Sequence, residues 1–152
     1  MYLYSANGNK WNIGASSYFI DYKTKNGTKF SIAIRCQLGG SQNDEVALVD
    51  TGAAFTKISE ETADIIKNKL DPTNETRDIL TMWGYRKCSM FIMPLYIKAD
   101  HGEDLSLDVL TCVVPNWPEQ TIIGMRGGLE KIRCAFDPGT NDDGIFYFGS
   151  AG

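Results

Sequence analysis

The chain is poor in the residues from which most metal and covalent enzyme sites are built. It has one histidine, His101, and four cysteines, Cys36, Cys88, Cys112 and Cys134, none in a Cys-x-x-Cys pair. Structural zinc needs clustered Cys and His ligands, so this scatter points away from a metal site. His101 lies in the polar stretch Ala99-Asp100-His101-Gly102-Glu103-Asp104. That stretch reads as an exposed turn, which argues against a Cys-His nucleophile pair. The cysteines sit among apolar neighbours and read as four small buried hydrophobes. Positive charge is not in excess either: 15 basic against 19 acidic side chains leave a net charge of −4. This is not the electrostatic footprint of a protein that binds nucleic acid or an anionic membrane surface. No apolar run approaches the roughly 20 residues needed to cross a bilayer. Met1 to Lys10 is polar and lacks the apolar core of a signal peptide. A soluble, cytoplasmic protein is the expectation.

What is present is a chain of 152 residues, 43% of them hydrophobic, with 15 glycines. That length suits one domain, residues 1–152, with a core of its own. Most of it reads as strands. Residues 18–22 lead into Lys25-Asn26-Gly27-Thr28, a tight hairpin signal, and the return strand alternates through Phe30, Ile32, Ile34, Cys36 and Leu38. Residues 45–50 form the next strand. One helix is expected: Ser59 as N-cap, Glu60 and Glu61 in its first turn, Ala63, Ile66 and Leu70 facing inward, and Asp71-Pro72 as its stop. Residues 73–77 read as a polar loop. Two extended stretches, 78–82 and 87–98, flank Trp83-Gly84-Tyr85-Arg86. Further strands are expected at 105–113, at Thr121-Ile122-Ile123, at 134–137 and at 145–148. Many short strands at this spacing indicate a closed barrel or a sandwich.

The most telling segment is Ala47-Leu48-Val49-Asp50-Thr51-Gly52-Ala53-Ala54-Phe55. A short apolar strand stops on a carboxylate in a tight turn. Burying an isolated Asp there is costly unless its proton or partners are managed. Asp-Thr-Gly alone recurs by chance and is common in ordinary strand-ending turns. Here it is followed by a helix, then a glycine-tipped hairpin, then Ile122-Ile123-Gly124. In this order the parts resemble those of the retropepsin-like aspartic proteases, and the likeness spans residues 30–148.

The resemblance implies an all-β fold: a closed acid-protease β-barrel with one short helix after the catalytic loop. It also implies a homodimeric aspartic endopeptidase. Such an enzyme needs two carboxylates sharing one proton, because like charges so close cannot both ionise. The chain carries one Asp-Thr-Gly. Asp137-Pro138-Gly139 and Asp142-Asp143-Gly144 do not read as a second catalytic loop. A second copy must then supply the other half. Residue by residue, Asp50 is the implied catalytic carboxylate, and Thr51 braces the two loops across the dimer axis. Gly52 lets the backbone approach the carboxylates with its N–H. Trp83, Gly84 and Tyr85 form the flap over a peptide substrate, and Ala53, Ile122 and Ile123 line or support the cleft. Water is the nucleophile, no metal or organic cofactor is implied, and activity is expected at mildly acidic pH.

Other readings remain open at this level. Trp83 and Tyr85 are flap residues or core aromatics, and the strand 145–148 joins a dimer sheet or an internal edge. Residues 1–29 have no counterpart in the family and form an N-terminal extension or an extra hairpin. After Gly124 the family has Arg-Asp, Arg-Asn or Met-Asp and an apolar helix. Here stand Met125-Arg126-Gly127-Gly128-Leu129, whose glycines weaken a helix. The rival reading is a non-catalytic peptide-binding, protein-binding or dimerisation module on the same fold.

Overall fold

The structure, a computed structural model, describes residues 1–24, 27–118, 120–139 and 144–151, and among these the side chains outside 19–24 and 28–31. The expected turn at Lys25-Asn26 and the side chain of Phe30 lie outside the described residues. The chain runs β1 (Tyr2–Tyr4), β2 (Lys10–Asn12), β3 (Gly14–Ser17), β4 (Phe19–Thr24), β5 (Gly27–Leu38), β6 (Glu45–Val49), β7 (Thr56–Ser59) and α1 (Glu60–Ile65). It continues through β8 (Asp71–Thr81), β9 (Gly84–Ile97), β10 (His101–Gly102), β11 (Leu105–Val114), β12 (Ile122–Ile123), β13 (Ile132–Asp137) and β14 (Ile145–Ser150).

The strands close on themselves. Hydrogen-bonded neighbours run β5-β6-β12-β7-β11-β9, and β9 returns to β5 through Gln37↔Tyr96 and Leu38↔Leu95. Closure is possible because β9 is long. Its first part pairs β8 and its last residues pass beyond β8 to meet β5. The result is the expected closed all-β barrel, with one short α-helix after the loop that follows β6. Ser59 caps that helix as expected, its hydroxyl oxygen accepting the Thr62 N–H at 3.1 Å. The helix is one turn shorter than the pattern suggested, because Lys67–Lys69 tightens into a 3₁₀ turn.

Alternation in β5 holds: Ile34, Cys36 and Leu38 point into the interior with Met93, Leu95, Val109 and Phe146. A second, smaller cluster joins Phe55, Ile79, Cys88, Met90, Cys112 and Val114 under the β8–β9 hairpin. β11 therefore has apolar residues on both faces, Val109 in one cluster and Cys112 in the other. A four-stranded sheet, ordered β10-β3-β14-β13, packs against the barrel through Phe146 and Phe148.

Several expectations are corrected. Residues 73–77 are not a loop but part of β8, where a register irregularity between Pro72 and Thr76 absorbs the proline that cannot donate to a ladder. Cys134 is exposed on β13 rather than buried, and all four cysteines are free thiols. His101 is exposed but belongs to a short strand paired with Ala15. The strand at 145–148 is internal: β14 has β3 on one side and β13 on the other. Among the described residues, no helix is long and apolar enough to cross a membrane.

Candidate active site

β12 is inserted between β6 and β7, parallel to the first and antiparallel to the second. The two strands that flank Asp50-Thr51-Gly52 therefore cannot pair with each other, and the loop joining them must arch across the end of β12. The backbone stitches it there. The Leu48 N–H donates to the Thr121 carbonyl (2.8 Å) and the Asp50 N–H to the Ile123 carbonyl (3.0 Å). Beyond the loop, the Met125 N–H donates to the Ala53 carbonyl (2.9 Å) and the Arg126 N–H to the Ala54 carbonyl (2.7 Å). The buried Thr56 hydroxyl accepts the Gly124 N–H at 3.2 Å.

This close approach explains Gly124. A Cβ there would sit 2.4 Å from the backbone carbon and oxygen of Phe55, with no flexible side chain to give way. It also explains the glycine pair that follows. Gly127 adopts φ +64°, in the left-handed region, and the chain turns through a 3₁₀ segment, Leu129–Lys131, instead of an α-helix.

Within the loop, the Gly52 N–H donates to Asp50 Oδ1 at 2.8 Å and the Ala53 N–H to the Asp50 carbonyl at 3.2 Å. Asp50, Thr51 and Gly52 are exposed in the single chain, whereas Ala53, Phe55 and Ile123 are buried. The sequence suggested a buried Asp; the geometry leaves it open, because the loop caps the barrel's end and none of the described residues covers it. Ile122 and Ile123 are support beneath the loop.

The β8–β9 hairpin carries the other predicted residues. Trp83 and Tyr85 are 45% and 69% exposed, which removes the core-aromatic reading. The Thr81 hydroxyl donates to the Gly84 carbonyl (2.7 Å) and accepts the Trp83 N–H (3.2 Å). Arg86 Nη1 donates to the carbonyls of Trp83 and Tyr85 at 3.1 and 3.2 Å. Trp83 meets Trp117 edge-on, ring centroids 5.7 Å apart, and the Trp117 indole N–H donates to the Gln120 carbonyl. The hairpin's base stands on Phe55, so it rises from the same cluster that supports the loop. Sequence reasoning had missed Thr56, Thr81, Arg86 and Trp117. A threonine in an apolar strand and a tryptophan in a proline-flanked loop were the available signals.

The nearby thiols are chemically quiet. Burial first, and then Cys88, pushes Cys112 up to about 12, and burial raises Cys88 as well, against the opposing field of Lys57. Both stay protonated and offer no nucleophile. Among the described residues, no group of three or more His, Cys, Asp or Glu side chains could hold a metal ion. A cavity of about 660 Å³ opens between β5, β9 and β11, lined by Gln37, Tyr96, Lys98 and Asp108 among others, and it includes no residue of the 50–53 loop, of the 83–85 hairpin tip or of Ile122-Ile123.

Compared with solved structures, the chain is similar to a retropepsin-like aspartic protease from Rickettsia conorii. The TM-score is 0.52 at 19% identity, over 92% of this chain and 95% of that one. It also matches the retroviral protease-like domain of Ddi1 from Leishmania major (TM-score 0.45, 17% identity, 70% of this chain and 81% of that one). EIAV protease in complex with the inhibitor HBY-793 is a further match (TM-score 0.42, 18% identity, 63% and 83%). No family model and no curated protein matches the chain in sequence. The fold is thus retropepsin-like. At these identities the likeness shows fold alone, and chemistry has to be argued from the residues.

Proposed function

We propose that the chain is one half of an aspartic endopeptidase, a single domain over residues 1–152 that becomes catalytic as a homodimer. The observation that carries this reading is the Asp50 carboxylate. It is exposed at the end of β6, holds the Gly52 N–H at 2.8 Å, and sits on a loop stitched to residues 121–126. Hydrolysis by an Asp pair needs carboxylates in fixed positions and a face open to a second copy, and this loop has both properties.

In the dimer, Asp50 and its mate share one proton. The ionised member takes a proton from water as the water attacks the peptide carbonyl, and the protonated member donates to the carbonyl oxygen. Thr51, exposed beside Asp50, bonds its counterpart and keeps the two loops in register. Gly52 brings its N–H against the carboxylate. Trp83, Gly84 and Tyr85 cover an extended peptide and exclude water, while Ala53 and Ile123 back the cleft. The peptide itself is held as an added strand, by main-chain hydrogen bonds.

The test is cleavage of a diverse peptide pool, read by mass spectrometry, by the wild type and by a folded Asp50→Asn variant over a range of concentrations. Loss of a general acid–base carboxylate lowers the rate by about 10²–10⁴-fold or more. Equal cleavage by the folded variant overturns the reading. A second reading, a peptide-binding module without turnover, is favoured by one observation. β14, the strand that chain ends contribute to dimers in this family, is already flanked on both sides within its own chain. A stable dimer that binds peptides and cuts none would establish that alternative.

A further inference from the structure

The chain-end sheet has no room for a partner at β14, and its two edges differ. One is β10, two residues long. The other is β13, six residues long, and among the described residues its backbone pairs with β14 alone. An open strand edge is a template for another strand, and proteins blunt such edges with charge placed against the wrong partner. β13 carries its charges in a self-complementary order, Arg133-Cys134-Ala135-Phe136-Asp137. We propose that β13 pairs antiparallel with β13 of a second copy across a two-fold axis at Ala135, joining two four-stranded sheets into one of eight strands.

In that register, position 133 of one copy faces position 137 of the other, 134 faces 136, and Ala135 faces itself. Arg133 then meets the partner's Asp137, twice by symmetry, as an isologous contact requires. Residues directly opposite in an antiparallel pair share a face and lie about 4.5–5.5 Å apart at Cβ, within reach of a guanidinium and a carboxylate. On the other face the exposed Cys134 thiol meets the edge of the partner's Phe136, a favourable sulfur–aromatic contact. Phe136 is 37% exposed and stacked on Phe146 (centroids 4.9 Å apart), so its ring is already held in place. Ala135, the residue on the axis, is small enough for the strands to approach.

Arg133 and Asp137 also have local contacts. The guanidinium lies over the Trp11 ring (4.7 Å) and donates to the Ala151 carbonyl, and Asp137 accepts the Gly139 N–H. Each contact leaves further donors or lone pairs for the cross-strand pair. Pro138 ends the strand on both copies, which limits the register to these residues. The inference deepens the homodimer reading by naming a surface for the second copy, and its catalytic meaning rests on that reading and requires the same two-fold axis to run between the two Asp50 loops.

The experiment is sedimentation equilibrium of the full chain at low and high salt, for wild type, Arg133→Asp, Asp137→Arg and the double variant carrying both changes. Each single change sets like charges opposite each other at two symmetric places and raises the dimer dissociation constant about tenfold to a hundredfold. The double change restores opposite charges and recovers most of the loss. Salt weakens the wild-type dimer. Independently of any variant, amide exchange at residues 132–137 slows as wild-type concentration rises. A chain that stays monomeric at every concentration overturns the proposal. So does a dimer indifferent to both single variants, or one whose concentration-dependent protection lies elsewhere. A charge-swapped series that behaves as expected in a protein that cuts no peptide would leave the interface standing and remove the protease reading.

Discussion

The loop at residues 50–56 and the hairpin tip at residues 81–86 are both turns over one hydrophobic cluster, yet they are held in opposite ways. The loop is bound by a segment about seventy residues away, through hydrogen bonds from Asp50, Met125, Arg126 and Gly124. The tip is bound by its own neighbours, Thr81 and Arg86, and by a single aromatic contact to Trp117. A loop pinned by distant strands moves only if the barrel opens. A tip pinned by local bonds opens at much lower free energy. Under the proposed function, the carboxylate that must be placed to a fraction of an ångström sits on the first, and the cover that must admit a peptide sits on the second.

The largest effect should come from pushing the loop off its support. Gly124→Ala places a methyl group against the Phe55 backbone. Overpacking of this kind costs about 1–3 kcal/mol, so thermal denaturation should show a Tm fall of roughly 3–10 °C. Peptide cleavage measured below that Tm should fall more than the folded fraction does. A variant as stable and as active as wild type would mean that the two segments are not locked together.

A smaller effect should come from the hairpin tip. Trp117→Leu leaves a smaller apolar side chain and removes both the edge contact with Trp83, worth about 0.5–1.5 kcal/mol, and the indole N–H bond to the Gln120 carbonyl. Amide exchange near residues 82–85 should speed up about threefold to tenfold, and KM should rise while kcat changes little and Tm falls less than for Gly124→Ala. If kcat and Tm fall as they do for Gly124→Ala, the contrast between loop and tip is wrong.

The smallest effect separates the pH dependence of the fold from that of the site. Asp104 lies outside both regions. Its carboxyl is held below the ordinary carboxylate range, first by the Tyr96 hydroxyl that donates to it and then by the Ala99 N–H. A depressed folded pKa stabilises the protein above the unfolded value, and that contribution disappears as pH falls through the folded value. Asp104→Asn should therefore lower stability slightly at neutral pH, with the gap to wild type closing in acid. Its pH profile of peptide cleavage should match that of wild type. A gap that widened in acid would contradict the assigned hydrogen bonds.

How much of this was legible beforehand follows from the range over which each feature is decided. Asp50-Thr51-Gly52, the Ser59 cap and the hairpin at Gly84 are local: side-chain chemistry and backbone freedom over a few residues specify them. β8 was misread across residues 73–77 because a polar strand containing a proline looks like a loop until β9 pairs with it. Cys134 was misread because a thiol in an apolar neighbourhood says nothing about which sheet edge is left open. Trp83 and Tyr85 could be placed in the hairpin, but their exposure depends on what packs beneath it.

The local order of residues was enough to specify a strand that ends on a carboxylate, a helix behind it, a hairpin and a buried Ile-Ile-Gly, because turn chemistry, capping and alternation act between near neighbours. Three further facts required the folded barrel. β12 enters between β6 and β7, Asp50 stays open to solvent, and β14 is enclosed while among the described residues β13 has a neighbouring strand on one side alone. Pairing and burial link residues tens of positions apart, and the register of one strand is settled by the faces of all the others.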